Sequence, residues 1–161
     1  MRAWYLFPLL LMFFFLGACG RRPYLQQNSA FIVWKTSAMR YADQGFVYED
    51  PDEVKVEIYS SGQPLFSLRV TKDSVCTGAL SCIGREAFNR SVLSSRYPRN
   101  TIEAILRGRP LFDGKNMVKK RNGFTQKLVN AREYRIVYSV LNNETVFRDT
   151  INHIFIKIKR L

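Results

Sequence analysis

The sequence predicts an α+β fold, a single antiparallel β-sheet with short helices covering one of its faces. The first observation is the order of segments, since strand-like segments come first, two helical segments follow, and strand-like segments return. The second is that apolar and polar residues mostly alternate in the strand-like segments. One face of the sheet should therefore meet a core and the other should meet water.

The strand-like segments before the helices begin with residues 31–34, which are rich in β-forming side chains. A second short run follows at 46–48. Residues 54–59 alternate apolar with polar side chains, 60–64 form a turn cluster, and 66–71 alternate again. Two alternating segments around a glycine-containing turn predict an antiparallel hairpin.

Two helices are predicted in the middle of the chain. Residues 86–95 carry apolar side chains at helical spacing. A second helix is expected to start at Asn100, whose side chain lies three residues before Glu103 in the pattern of a capping box. Gly108 can end this helix in the left-handed conformation. The apolar residues of its buried face are Ile102, Ile105 and Leu106.

Four strands are predicted after the helices. They cover residues 124–129, 134–141, 145–147 and 154–159, and the last of them alternates isoleucines with Phe and Lys. The Asn142–Asn143 pair predicts a turn, because asparagine tolerates positive φ.

The N-terminus has the features of a bacterial lipoprotein signal. Arg2 precedes an apolar stretch over residues 3–15, shorter than the roughly 20 residues that span a bilayer and suited to a signal peptide. Leu-Gly-Ala-Cys at 16–19 then matches the lipobox. We expect residues 1–18 to be removed and Cys19 to be lipidated. An uncleaved signal anchor with a chance cysteine is the alternative.

The predicted mature chain has a lipidated tether at 19–29 and one domain at 30–161, a size suited to a single core. Each buried methylene of an acyl chain contributes about 0.8 kcal/mol, so two or more chains anchor a protein stably. In Gram-negative bacteria, an Asp directly after the lipidated cysteine favours retention of a lipoprotein in the inner membrane. This chain has Gly20 at that position. By that analogy the chain is anchored in the outer membrane, with its domain facing the periplasm.

The chain is basic, with 25 Lys and Arg against 13 Asp and Glu. A basic domain beside a membrane is attracted to anionic headgroups or to acidic partners. Export argues against nucleic acid as a partner. A generally basic, solvated surface is the alternative explanation of the charge.

Cys76 and Cys82 are expected to form a disulfide in an oxidising compartment. A disulfide that closes so short a loop should stabilise the fold by less than the roughly 3 kcal/mol expected for a 15-residue loop. The short spacing therefore predicts a local cross-link across a turn. No Cys or His lies near enough in sequence to complete a metal site, so no metal or cofactor is expected.

The sequence contains no motif of an active site. Its only histidine, His153, lies in a predicted turn before the last strand, and the acidic residues at 50–53 are typical of a solvated loop. Glycine-flanked serine elbows, phosphate-binding loops and His-Glu-X-X-His motifs are all missing. We therefore expect no enzyme.

Several of these segments, in this order, resemble the LolA/LolB lipoprotein-trafficking family, and most closely the outer-membrane lipoprotein receptor LolB. The hairpin at 54–70 is similar to the family's strand–turn–strand. Residues 89–109 are similar to its helical segment, in which a proline precedes a short helix ending Ile-Leu before a glycine. Residues 134–138 and 154–159 resemble its Val-Tyr strand and its final Ile-Lys-Ile strand.

The resemblance implies an incomplete, strongly curved β-barrel whose concave face is covered by helices. It also implies an apolar cavity that takes lipoprotein acyl chains from a periplasmic carrier and passes the lipoprotein cargo to the outer membrane, driven by exclusion of water. Ordinary core packing is the alternative for each candidate. The candidate cavity residues are Phe66, Leu68, Val70, Ile102, Ile105, Leu106, Ile136 and Tyr138.

One position departs from the receptor pattern. The family carries a protruding leucine just before the glycine of its strand–turn–strand, and here Ser61 precedes Gly62. Leu65 or Phe66 is expected to replace it as the apolar tip. Two other functions stay open, namely an assembly-partner lipoprotein without lipid transfer and a basic lipoprotein that binds anionic lipid or glycan.

Overall fold

The computed structural model describes residues 24–161, which form one antiparallel sheet of eleven strands with two short helices. The predicted signal peptide, Cys19 and the tether up to residue 23 lie outside the described residues. The strands are β1 Gln26–Lys35, β2 Arg40–Glu49, β3 Glu53–Ser60, β4 Gln63–Thr71, β5 Ser74–Thr77, β6 Ser81–Gly84, β7 Met117–Lys120, β8 Gly123–Asn130, β9 Tyr134–Leu141, β10 Glu144–Asp149 and β11 Ile154–Arg160. The helices are α1 Arg85–Val92 and α2 Thr101–Arg107, followed by a 3₁₀ turn at Phe112–Gly114.

The strands lie side by side in the order β6-β5-β4-β3-β2-β1-β11-β10-β9-β8-β7. Two meanders are thus joined where the first strand pairs with the last, with Ile32 opposite Ile158. Within the described chain β6 and β7 are the two edges, so the sheet is open. The prediction of a single antiparallel sheet is confirmed.

Turns form where the predicted residues supply positive φ. Ser61 and Gly62 have φ of 51° and 79° and close the β3–β4 hairpin, as a two-residue hairpin turn requires. The Asn142–Asn143 turn uses φ of 49° and 63°. Gly108 ends α2 in the left-handed conformation, with φ of 64°.

The sheet curves around α2. This helix contacts both β3 and β10. These two strands lie four places apart in the sheet, so their axes would be about 19 Å apart if the sheet were flat. A seven-residue helix is only about 10 Å long. Gly45 allows a close approach inside the curve, since a Cβ there would lie 2.0 Å from the carbonyl oxygen of Glu57.

Apolar side chains of the strands and of both helices form one buried core in the described chain. The strand residues facing the helices alternate with residues facing away, as in β3, where Val54, Val56 and Ile58 are fully buried. We call the sheet face turned toward the helices the inner face and the opposite one the outer face.

Three expectations need correction. Asn100 makes no side-chain capping bond, and Glu103 pairs with Arg85 and Arg107 instead, so the predicted capping box is wrong. Strands β5, β6 and β7 were not predicted. Strand β1 begins at Gln26, so the last residues of the predicted tether belong to the sheet.

Candidate functional site

The eight predicted cavity residues come together in the core between the sheet and α2. They derive from three separate parts of the chain, two strands and a helix, and all belong to one apolar cluster. Phe66 is 9% exposed and the other seven are fully buried. We call this cluster the apolar interior.

Aromatic side chains line both halves of the apolar interior. The ring of Phe66 lies 4.8 Å from that of Tyr41 and 6.1 Å from that of Trp34. In the other half, the ring of Tyr138 lies 5.8 Å from that of Phe124 and 6.2 Å from that of Phe147. These separations are typical of packed aromatic pairs, so the interior is held by its own side chains.

Tyr138 also links the sheet to the helix above it. Its hydroxyl donates to the carbonyl oxygens of Arg109, at 3.1 Å, and Ala104, at 3.4 Å. Burial raises the pKa of Tyr138 above its usual value, so the hydroxyl stays protonated and can donate. The one polar atom of this predicted cavity residue thus fastens α2 to β9.

A chain of ion pairs fastens α2 to the opposite part of the sheet. Arg107 lies 3.0 Å from Glu103 and 3.7 Å from Glu49, and Glu49 lies 3.0 Å from Arg160. Glu103 in turn lies 2.9 Å from Arg85 at the start of α1. Burial acts to raise the pKa of Glu103, but hydrogen bonds and charge from Arg85 and Arg107 outweigh it and hold the pKa below its usual range.

Asp149 fastens the segment between the helices. Its carboxylate accepts hydrogen bonds from the hydroxyl of Tyr97, from the backbone N–H groups of Arg135 and Ile151, and from Asn152. Burial acts to raise the pKa of Asp149, but these donors outweigh it and lower the pKa. Burial, together with the bond to Asp149, raises the pKa of Tyr97.

Gln126 holds the chain that follows α2. Its side-chain amide accepts from the N–H of Leu111 at 2.8 Å and donates to the carbonyl oxygens of Leu111 and Lys115, at 3.0 and 2.8 Å. The whole helical segment is therefore attached to the sheet through polar contacts around the margin of the apolar interior.

The clefts lie on the surface and are partly polar. The largest of those described, about 620 Å³, lies where β1 ends and β11 begins, and two smaller ones measure about 320 and 250 Å³. None of the three is lined by a predicted cavity residue. The charged side chains lining the largest cleft are Lys35, Arg40, Arg148 and Asp149, and His153 also lines it.

Two leucines project from neighbouring hairpins. Leu65, near the β3–β4 turn, is 54% exposed, whereas Phe66 faces the interior, so of these two only Leu65 is placed to act as an apolar tip. Leu80 is 96% exposed at the tip of the β5–β6 hairpin. Sequence reasoning missed Leu80 because it did not predict these two strands, although the cysteine pair close to their turn was a signal of a turn.

The remaining predicted residues are placed as follows. A disulfide joins Cys76 and Cys82, with a sulfur–sulfur distance of 2.07 Å, and it pairs β5 with β6. His153 is exposed in the turn before β11. Residues 24–161 contain no cluster of metal-ligating side chains and no helix long and apolar enough to cross a membrane.

Comparison with known proteins adds no assignment. No protein-family model matches the chain, and a search of the curated proteins finds no match.

Proposed function

We propose that this chain is a LolB-like lipoprotein of the outer membrane, anchored through Cys19, that binds the acyl chains of other lipoproteins and assists their localisation. The observation that supports it is the convergence of the eight candidate residues on one apolar interior between an open sheet and a short helical segment. In this proposal α1 and α2 are a lid over the concave face of the sheet. A periplasmic carrier delivers the cargo.

The energetics of opening support this use of the interior. A palmitoyl chain that leaves water gains on the order of 10 kcal/mol at about 0.8 kcal/mol per methylene. The lid is held at its margin by hydrogen bonds and largely buried ion pairs, each contributing on the order of 1 to 2 kcal/mol. In this proposal the acyl chain displaces the lid and replaces the apolar contacts that the lid loses, so the cost of opening is that of the polar contacts at the margin.

The projecting leucines support the handover step. Leu65 and Leu80 are apolar tips on neighbouring hairpins of one sheet half. In this proposal these exposed apolar side chains are the contacts of the domain with the membrane. Both leucines would enter the outer membrane while the cargo leaves the interior.

The test is transfer from a loaded carrier. Residues 20–161 retain all the described elements and core contacts, so this soluble form is mixed with a periplasmic carrier that holds a labelled lipoprotein. We expect the label to move to this domain. A matched pair of variants, Leu80→Ser and Leu25→Ser, then tests handover, since both leucines are exposed and only Leu80 is at a hairpin tip. Delivery of the label to vesicles should fall for Leu80→Ser alone.

The second candidate function is that of an assembly-partner lipoprotein without lipid transfer. The observation that favours it is the burial of the eight candidate residues, which pack on one another and line none of the three clefts described. A folded domain that leaves the label on the carrier would contradict acyl binding and support this function.

A further inference from the structure

The outer face of the sheet is divided into two regions of different charge. On β3 and β4 the outward cations are paired, with Lys55 3.0 Å from Glu57 and Arg69 3.8 Å from Glu53. On β1 and on β8 to β11, the Lys and Arg side chains on the outer face outnumber the carboxylates on that face. Glu144 is one of these carboxylates. The outward cations of these five strands are Lys35, Lys127, Arg135, Arg148, Lys157 and Lys159.

These six cations, which we call the basic face, are almost free of carboxylates. Lys157 lies 2.9 Å from Glu144, which is also the residue directly opposite Lys159 on the neighbouring strand. The other five are exposed, and in residues 24–161 none has a carboxylate oxygen within 4.0 Å. Their charge is therefore available to a partner, and its concentration on one sheet face creates a local positive potential.

Apolar side chains lie between the cations in a regular pattern. Each cation of the basic face lies directly opposite an apolar residue on a neighbouring strand, at the distance where side chains touch. The pairs are Lys35–Phe155, Lys159–Phe31, Lys157–Val33, Arg148–Val137, Lys127–Val137 and Arg135–Val129.

Three of these apolar residues are well exposed. Phe31 is 40% exposed, Val137 is 47% and Val129 is 63%. A strand face that merely met water would carry polar residues at such positions. Cations alternating with exposed apolar groups are instead suited to the boundary between lipid headgroups and acyl chains, where the two kinds of side chain have different partners.

We infer that the basic face docks on the surface of a bilayer that contains anionic phospholipid. Five adjacent strands present a broad surface about 20 Å wide, and the cations are spread over it instead of lining a groove. The largest cleft adjoins this face, since Lys35 and Arg148 belong to both, and the carboxylate of Asp149 also lines this cleft. The choice of lipid over other polyanions rests on the proposed membrane anchor and not on acyl binding.

Vesicle binding tests the inference. Residues 20–161 are sedimented with phosphatidylcholine vesicles, with and without phosphatidylglycerol, at low and high salt. We expect binding only to the anionic vesicles and its loss at high salt, because salt screens exposed charges. Binding that is equal on both kinds of vesicle would overturn the inference.

A matched pair of triple variants locates the binding surface. The first, Lys35→Gln, Lys127→Gln and Lys159→Gln, neutralises three exposed cations of the basic face. The control, Lys72→Gln, Arg90→Gln and Lys115→Gln, neutralises three exposed cations outside it and gives the same net charge. At about fivefold for each cation near an anionic surface, we expect about a 100-fold loss for the first variant and little for the control. Equal losses of vesicle binding in the two triple variants would mean that only the net charge matters. That result would contradict binding through the basic face.

Two further measurements separate lipid from other partners. In Val129→Thr with Val137→Thr the charges stay and the exposed apolar surface is reduced, so we expect weaker vesicle binding with an unchanged salt dependence. A single-stranded oligonucleotide added in competition should displace the protein poorly. Displacement at a concentration well below that of the lipid would assign the face to nucleic acid. These assays contain no acylated cargo, so their outcome is independent of the transfer assay. Vesicle binding can be found without label transfer, and label transfer can be found without vesicle binding.

Discussion

Asp149 shows how one carboxylate can organise several segments. It is almost fully buried at the end of β10, yet it accepts bonds from Tyr97 in the helical segment, from the start of β9 and from the turn before β11. A buried charge is tolerated only when it is paired or well supplied with donors. Here backbone N–H groups, a hydroxyl and an amide take that role in place of a cation.

We expect Asp149→Asn to destabilise the fold by about 2 kcal/mol, because the amide keeps one acceptor oxygen but turns donors toward the N–H groups. Asp73→Asn is the control, since Asp73 is 82% exposed and its ion pair with Arg99 is 3.6 Å long. Urea unfolding of both variants measures the difference. Equal urea midpoints for the two variants would show that the hydrogen bonds to Asp149 make no net contribution to the free energy of unfolding.

The same carboxylates set the acid response. The pKa values of Asp149 and Glu103 are lowered in the folded protein, so the unfolded chain binds protons at higher pH than the folded chain does. Their contribution to stability is therefore complete above about pH 5 and is lost as the pH falls below about 4, through the folded pKa values. We expect the double variant Asp149→Asn, Glu103→Gln to lose less stability between pH 5 and 3 than the original chain. Parallel curves of unfolding free energy against pH would contradict this origin.

At the scale of elements, α2 depends on its contacts with the sheet more than on the helix propensity of its own sequence. It has seven residues, too few for a stable isolated helix, and its predicted capping box does not form. Arg107 is almost fully buried between Glu103 and Glu49. Glu49 thus connects the last turn of the helix with both β2 and β11.

We expect Glu49→Gln to loosen α2 by about 2 kcal/mol, because Arg107 and Arg160 lose a shared carboxylate in a largely buried place. Hydrogen exchange of the α2 amides should accelerate while that of β3 and β9 stays slow. Glu86→Gln is the control, since Glu86 is 63% exposed and should change exchange little. Uniform acceleration across the sheet would mean that Glu49 supports the whole fold and not the helix.

Which elements could be predicted depended on how local their determinants are. The β3–β4 turn, the Asn142–Asn143 turn and the end of α2 at Gly108 were predicted because one or two residues supply the required backbone conformation. Strand β6 was missed because its four residues are all exposed and show no alternation. The capping box was wrong because Glu103 found arginines from distant positions, which no local motif reveals.

For the whole molecule, the alternation of side chains predicted which residues meet in the core, but not what the core does. All eight candidate positions are buried together, yet a filled interior and a cavity that opens share the same pattern of apolar residues. The basic face was beyond prediction for a different reason. The net charge was visible in the composition, but the location of the cations depends on β1 pairing with β11 across more than a hundred residues.

Trp34 offers a direct measurement of whether acyl chains enter the interior. The sequence contains two tryptophans, at 4 and 34, so a chain of residues 20–161 carries Trp34 alone. This side chain is fully buried on the inner face beside Phe66. Bromine quenches indole fluorescence at short range, so brominated palmitate in the interior should reduce the emission, and unbrominated palmitate should restore it. Docking of lipid on the outer face leaves the sheet between the bromine and Trp34.

The effect should increase when the lid is loosened. In Glu49→Gln we expect quenching at a lower concentration of brominated palmitate, because less free energy is needed to displace α2. In Glu86→Gln the concentration should be unchanged. Quenching that neither competes with palmitate nor responds to Glu49→Gln would indicate collisions at the surface. Absence of quenching in all three proteins would leave the interior as a permanent core, and the chain would then act through its faces, as an assembly partner or as a membrane-docked domain.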